Sequence, residues 1–273
     1  MSEERAARLR AALAARGLVW PAPLEHHESL RSTSDVVRER ARAGAAEWTT
    51  VIADTQAAGR GRWGRTWASP PGGLYLSTLL RPPPEAVGLL PLVAGVAVAE
   101  ALSEWGVSTE LKWPNDVLAR GRKLAGVLGE ASSSASGVEW VALGIGVNVG
   151  AEDDSLPPSV RENATSLRAE TGGSPGLEEI AAAVMVRLTV WYDALRLRPS
   201  SVLPAWRARA APWWGSLVEV HGGEGPRRGR MRDVDETGAL VLDVEGGGSV
   251  RVLSGEVERV RLVEAGARDP ERG

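Results

Sequence analysis

Two apolar, strand-like runs, residues 49–53 (TTVIA) and 73–80 (GLYLSTLL), bracket a stretch that neither a helix nor a strand can absorb. Between Gln56 and Ser77 the chain reads QAAGRGRWGRTWASPPGGLYLS, with Arg60, Arg62 and Arg65 interleaved with Gly59, Gly61 and Gly64, then Trp67, Ser69, Gly72 and Gly73. The stretch is therefore a long loop joining two strands, its far side fixed by Pro70 and Pro71. Glycines let backbone N–H groups approach a ligand, and guanidinium forks match the oxygens of carboxylates and phosphates. The combination points to an anionic small molecule.

Familiar phosphate motifs do not account for it. No G-x-x-x-x-G-K-[ST] sequence is present, and although Gly59, Gly61 and Gly64 fit the dinucleotide spacing, the loop leads into a strand where that motif needs a helix. An RGG-like RNA-binding patch would be longer and repeated, and this one is single and bracketed by apolar strands.

Net charge is −3 and the pI near 5.8, so the arginine cluster is local and a general nucleic-acid or anionic-membrane binder is disfavoured. The chain has no cysteine, hence no thiol nucleophile or thiolate metal site, and its 3 histidines are too few and scattered for zinc. No basic-then-apolar leader opens it, and no uninterrupted apolar run reaches the ~20 residues of a membrane span, which leads us to expect a cytoplasmic protein. With 11 tryptophans and no phenylalanine, Trp must supply much of the aromatic packing.

In chain order, residues 3–16 form a helix with acids first, Arg16 last and Gly17 beyond it. Residues 24–30 suit a strand and 35–43 a helix, with Ser32, Thr33 and Ser34 at the junction, where one hydroxyl serves either as a helix N-cap or as part of a site. A largely apolar helix is expected over 87–105, strand pieces at 109–113 and 117–118 around Pro114, Asn115 and Asp116, and long strands over 123–131 and 138–149 separated by a loop, SSSASG. A polar connection over 151–175 holds a short helix near 164–170, and helices follow over 177–197 and 201–210. From about residue 212 the pattern becomes short strands and turns, dividing the chain into domains 1–211 and 212–273. The tail AGARDPERG is expected to lack order.

Three further constellations are ambiguous singly. Lys112 to Asp116 (KWPND) is either Asn-Asp turn chemistry with a solvated lysine or a site wall. Gly126 in Lys123–Val127 marks either a bulge or a close approach. Gly144-Ile145-Gly146-Val147-Asn148 repeats that theme at a strand end.

Together, GRGRWGRTWASPPGGLYLS, KWPND, RKLAGVL and GIGVN, in this order, resemble the biotin protein ligase family from about Ser32 to Glu256. The resemblance implies an α+β fold: a mixed β-sheet catalytic domain packed with helices, followed by a small SH3-like β-barrel. It implies that biotin and ATP give biotinyl-5′-AMP and pyrophosphate, and that a lysine of a biotin carboxyl carrier protein or domain then takes the biotinyl group. By the same resemblance Ser32, Thr33, Gln56, Gly59, Arg60 and Gly126 meet biotin, and Arg62 and Lys123 hold its carboxylate and the α-phosphate. Arg65, Trp67, Asn115 and Asn148 meet the nucleotide, and Asp116, with Arg62 and Lys123, is catalytic, orienting the incoming amine. Mg²⁺ is expected to come with ATP, held by phosphates and water with no protein ligand named. Ser34 stands where the family commonly has Asn. About 30 residues precede Ser32, too few for the helix-turn-helix domain of repressor members, so no specific DNA binding and no membrane association are expected; monomer and homodimer stay open. A lipoate-type ligase and a non-catalytic biotin- or nucleotide-binding regulator are the alternatives. Three neighbouring arginines repel, so the loop is expected to order when an anion arrives.

Overall fold

In the computed structural model, residues 2–135, 137–150, 157–173, 175–222 and 225–259 are described. The elements in order are α1 (Glu3–Ala15), β1 (Leu24–Leu30), α2 (Thr33–Arg42), β2 (Thr50–Gln56), β3 (Leu74–Leu80), α3 (Leu90–Ser103), β4 (Glu110–Lys112), β5 (Asp116–Ala119), β6 (Arg122–Ser134) and β7 (Gly137–Val147). They continue as α4 (Pro158–Arg161), α5 (Leu167–Thr171), α6 (Leu177–Leu197), α7 (Val202–Arg209), β8 (Leu217–His221), β9 (Arg227–Val234), β10 (Leu240–Asp243), β11 (Ser249–Val252) and β12 (Glu256–Arg259). The tail beyond 259 and residues 151–156 of the polar connection lie outside the described residues.

The first seven strands form one mixed sheet in the order β1-β2-β3-β7-β6-β5-β4, with β1 and β2 parallel and the other neighbours antiparallel. Parallel strands cannot be joined by a tight turn, and α2 supplies the crossover between them. The last five strands form an antiparallel sheet in the order β11-β10-β9-β8-β12, completing the expected α+β arrangement.

Every residue of β3 is buried, as befits a central strand covered on both faces. On one face Val37 and Ala41 of α2 pack on Val51, Leu79, Trp140 and Ala142. On the other, α3 packs against α6, and Ile180, Val184, Leu188 and Leu195 of α6 are buried. The apolar stretch Pro84–Ser103, a 3₁₀ turn running into α3, is long and apolar enough to cross a membrane, yet it is mostly buried within this core. At the end of α1, Gly17 takes a left-handed φ of 78°, the conformation expected of a glycine that stops a helix.

One expected loop is mostly strand. The segment SSSASG continues β6 to Ser134 and re-enters β7 at Gly137, because serines alternating on an exposed hairpin satisfy the ladder as well as apolar residues do. Helix α5 starts at Leu167, three residues later than expected, where Ser166 Oγ accepts from Ala169 N and caps it.

Candidate functional site

A cleft of about 890 Å³ opens on the α2 side of the mixed sheet, and its lining draws together the segments singled out in the sequence. Ser32, Thr33 and Ser34 come from the start of α2, Gln56 from the end of β2, and Ser77 from the middle of β3. Ser32 occupies the N-cap position but its side chain makes no cap hydrogen bond, so the capping reading of these hydroxyls gives way. Instead Thr33 N donates to Gln56 Oε1 at 2.9 Å, Thr33 Oγ1 lies 2.8 Å from Ser77 Oγ, and Ser34 Oγ lies 3.0 Å from the same oxygen. Gln56 Nε2 donates to Ser69 Oγ at 2.9 Å, tying this floor to the returning limb of the loop. Gly144 lies against the network, where a Cβ would come within 3.1 Å of Ser34 Oγ.

The loop has a shape of its own. Gly61 N donates to Arg65 O at 2.8 Å and Trp67 N to Gly59 O at 2.9 Å, so residues 59–67 fold back as a small hairpin. At its tip Trp63 sits at φ 57°, 54% exposed, a conformation that costs a bulky residue on the order of 1–3 kcal/mol. Trp67 lies flat over the sheet: a Cβ on Gly126 would meet its ring at 2.8 Å and one on Gly146 at 2.6 Å. Gly126 and Gly146 are direct partners across β6 and β7, so the glycines of RKLAG and GIGVN jointly make room for the tryptophan of the arginine loop. The close-approach reading of both glycines therefore holds, and β6 also carries a bulge, at Leu124, which is left unpaired where Val117 and Leu118 face Ala125 and Lys123.

The cations are compensated within the protein. Arg60 reaches Asp35 at 2.5 Å and Glu130 at 2.7 Å, Arg65 pairs with Glu256, and Arg62 donates to Gly255 O at 2.8 Å and Ser254 Oγ at 3.0 Å. The repulsion that three adjacent arginines imply is thus offset by carboxylates from α2, β6 and β12. Burial lowers the Arg62 guanidinium below its ordinary pKa, with Asp116 and Glu256 opposing that shift. Lys123 Nζ is 2.6 Å from Asp116 Oδ1, close enough for an ion pair but without the alignment of a hydrogen bond. Asn115 Nδ2 donates to Val127 O at 2.7 Å, pinning the KWPND turn to β6.

Five side-chain polar atoms are buried without a hydrogen-bond partner among the described residues, and three, Arg60 Nε, Trp67 Nε1 and the ion-paired Asp116 Oδ1, belong to cleft-lining residues. Buried polar atoms are normally satisfied, so their concentration here marks a place built for a ligand. Asp116 and Glu256 are the carboxylates in the lining, and no cluster of three potential metal ligands occurs among the described residues. That donor set fits a cation held mainly by a bound polyphosphate and not by a protein cage.

Two expected residues stand back. A Cβ on Gly59 would collide with Trp67 O and Ser69 Oγ, so its lack of a side chain serves closure of the loop, and it lines a neighbouring cleft and not the main one. Asn148 Nδ2 donates to Lys123 O at 3.2 Å and is absent from the main cleft's lining, so it supports Lys123 from behind. Ser77 was missed because it reads as one polar residue inside an apolar strand, and Gly255 and Glu256 because the second sheet reaches the cleft only in three dimensions.

Residues 27–148 match the family described as the biotin/lipoate A/B protein ligase family. A biotin–[acetyl-CoA-carboxylase] ligase of Mycobacterium tuberculosis is 37% identical over 240 residues, covering 84% of this chain and 86% of that protein. One from Paracoccus denitrificans is 38% identical over 203 residues, covering 70% and 82%. Among solved structures, a biotin protein ligase from Aquifex aeolicus in complex with biotin and ATP superposes with a TM-score of 0.75 at 30% identity, covering 88% of this chain and 99% of that one.

Proposed function

The chain belongs to the biotin protein ligase family, and we propose that the cleft above its mixed sheet is where biotin and ATP are joined. The protein is an ATP-dependent biotin ligase. We assign residues 1–211 to the biotin- and ATP-binding unit and 212–273 to the second, and the modified partner to a biotin carboxyl carrier protein or domain. The observation that carries the assignment is the contiguity in one cleft of a neutral hydroxyl and amide floor with a group of cations.

The floor suits biotin's ureido ring. Thr33, Ser34 and Ser77 present hydroxyls that can turn donor or acceptor, and Gln56 presents an amide; Ser32 completes the edge. Ser34, shorter than the Asn usual in the family, is linked to Ser77, so the shared pair covers what one amide would reach. The carboxylate then points toward Arg62 and Lys123.

In the first step a biotin carboxylate oxygen attacks the α-phosphorus, and the bond to the bridging oxygen breaks, pyrophosphate leaving with the electron pair. Bringing two anions together is the barrier, and Arg62 and Lys123 offset it, with Arg60 steadied by Asp35 and Glu130 at the rim. Arg65 leaves Glu256 for the phosphates, Trp67 gives the nucleotide base an aromatic face, and Asn115 holds the turn at the phosphates. Mg²⁺, when bound with ATP, would neutralise phosphate charge and would be held mainly by phosphates and water. In the second step the neutral carrier lysine nitrogen attacks the biotinyl carbonyl, its proton passes to solvent, and AMP departs with the electron pair as the acyl C–O bond breaks; Asp116 orients that amine.

The test is ATP-dependent transfer of labelled biotin to a carrier domain. Transfer is expected from the wild type and a loss of about a hundredfold or more from Lys123→Ala, since one charge-stabilising donor is typically worth that much. Failure to transfer, with neither biotin nor ATP bound, overturns the assignment; transfer of lipoate in place of biotin would redirect it.

A further inference from the structure

Of the cations lining the cleft, Lys112 is held differently from the rest. Arg60, Arg65 and Lys123 each have a carboxylate, and Arg62 has two oxygen acceptors. Lys112 has neither among the described residues: its Nζ lies 5.8 Å from the ring centroid of Trp213. The same ring carries a second cation, Arg259 at 4.3 Å, whose guanidinium donates to Pro212 O and makes no ion pair among the described residues. Trp213 is 6% exposed, and its Nε1 is buried with no acceptor among the described residues.

Two cations thus share one indole, and neither has a carboxylate partner among the described residues. Cation–π contact holds a lysine with about 0.5–2 kcal/mol, enough to fix its direction without neutralising its charge. Two like charges sharing a ring repel, and an arriving anion turns that repulsion into attraction. A merely solvated lysine needs neither the ring nor the second cation.

Resting on the ligase reading, we propose that Lys112, held in place by Trp213, binds the terminal phosphates of ATP and the departing pyrophosphate. Lys112 is the register partner of Asp116 across β4 and β5, so it lies on the hairpin whose other strand meets Lys123. With Arg62 and Lys123 at the α-phosphate, the leaving pyrophosphate carries more negative charge than Arg65 alone offsets. As the bond from the α-phosphorus to the bridging oxygen breaks, its electron pair passes to pyrophosphate, and Lys112 meets the negative charge that develops there. Trp213 is a positioning residue, acting through Lys112. Its ring also ties Lys112 to Arg259 at the end of β12, the strand whose start supplies Glu256 to Arg65. One strand of the second sheet therefore braces both sides of the phosphate path.

The experiment separates the half-reactions in the full-length protein: adenylation at varied ATP, and transfer to a carrier domain from supplied biotinyl-5′-AMP. Lys112→Met is expected to lower kcat/KM for ATP by about tenfold to a hundredfold, the worth of one charged hydrogen bond, while transfer from supplied adenylate stays within about twofold. Reversal by inorganic pyrophosphate should weaken by the same factor, and Lys112→Arg should recover most of the loss. Trp213→Leu should show a smaller loss in ATP use that Trp213→Phe restores, with adenylate transfer again reporting an intact fold. An unchanged ATP dependence in Lys112→Met overturns the proposal, as does an equal loss in both half-reactions, which would make Lys112 structural. If the wild type itself transfers no biotin from supplied adenylate, the ligase reading fails and this inference with it.

Discussion

Thr33, Ser34, Gln56 and Ser77 line the same cleft as Arg60, Arg62 and Arg65, but the two groups are held in different ways. The first are anchored on β2, β3 and α2, are largely buried, and are satisfied chiefly by one another through the Ser77 and Gln56 contacts. The second sit on a loop, and their partners come from far along the chain: Asp35, Glu130, Ser254, Gly255 and Glu256. A wall whose polar groups are already paired offers a fixed shape, suited to selecting a neutral ring. A wall of partly exposed ion pairs and of hydrogen bonds to neutral oxygens offers contacts that a phosphate can replace at modest cost. The difference assigns selection to the floor and closure to the loop.

The sharpest way to break this division is Arg62→Gly. Its guanidinium joins the loop to the second sheet and faces Asp116, so adenylation should fall by about a hundredfold to a thousandfold and any adenylate formed should escape early. A half-life of bound adenylate equal to that of the wild type would remove Arg62 from the clamp.

Next in size is Gly146→Val, which leaves every charge in place but fills the space under Trp67. Overpacking of this kind costs about 1–3 kcal/mol, so ATP affinity should drop about tenfold or more while biotin binding by the floor changes far less. Equal losses for both ligands would show that the two walls move as one.

A smaller effect belongs to Ser77→Ala. Removing the oxygen shared by Thr33 and Ser34 should raise the KM for biotin by about fivefold to tenfold, from roughly 1 kcal/mol of lost hydrogen bonding, and leave the KM for ATP unchanged. A shift confined to ATP would reverse the assignment of the two walls.

The sequence made the loop wall far more legible than the floor. Arginine between glycines is rare enough to be seen in one dimension, and the helix over 177–197 announces itself by its apolar face. Ser77 gives no such signal, since a hydroxyl in an apolar strand is common and its meaning depends on which helix crosses it. Trp213 and Glu256 are further still from view, because their roles arise from how the second sheet meets the first. Gly126 and Gly146 lie between these cases: each strand glycine is ambiguous alone, and only their register across β6 and β7 shows that both admit one indole. Asn148 was legible as a polar end to an apolar strand, but its partner is a backbone carbonyl.

The most direct measurement is amide hydrogen exchange over residues 57–67 and over β3, with and without biotin and ATP bound. Protection is expected to rise across residues 59–67, where Gly61, Arg65 and Trp67 are the amides bonded to other backbone groups, while Ala57, Ala58 and β3 stay as protected as before. Equal loop protection in the two states would contradict a wall that changes partners to close over its ligand.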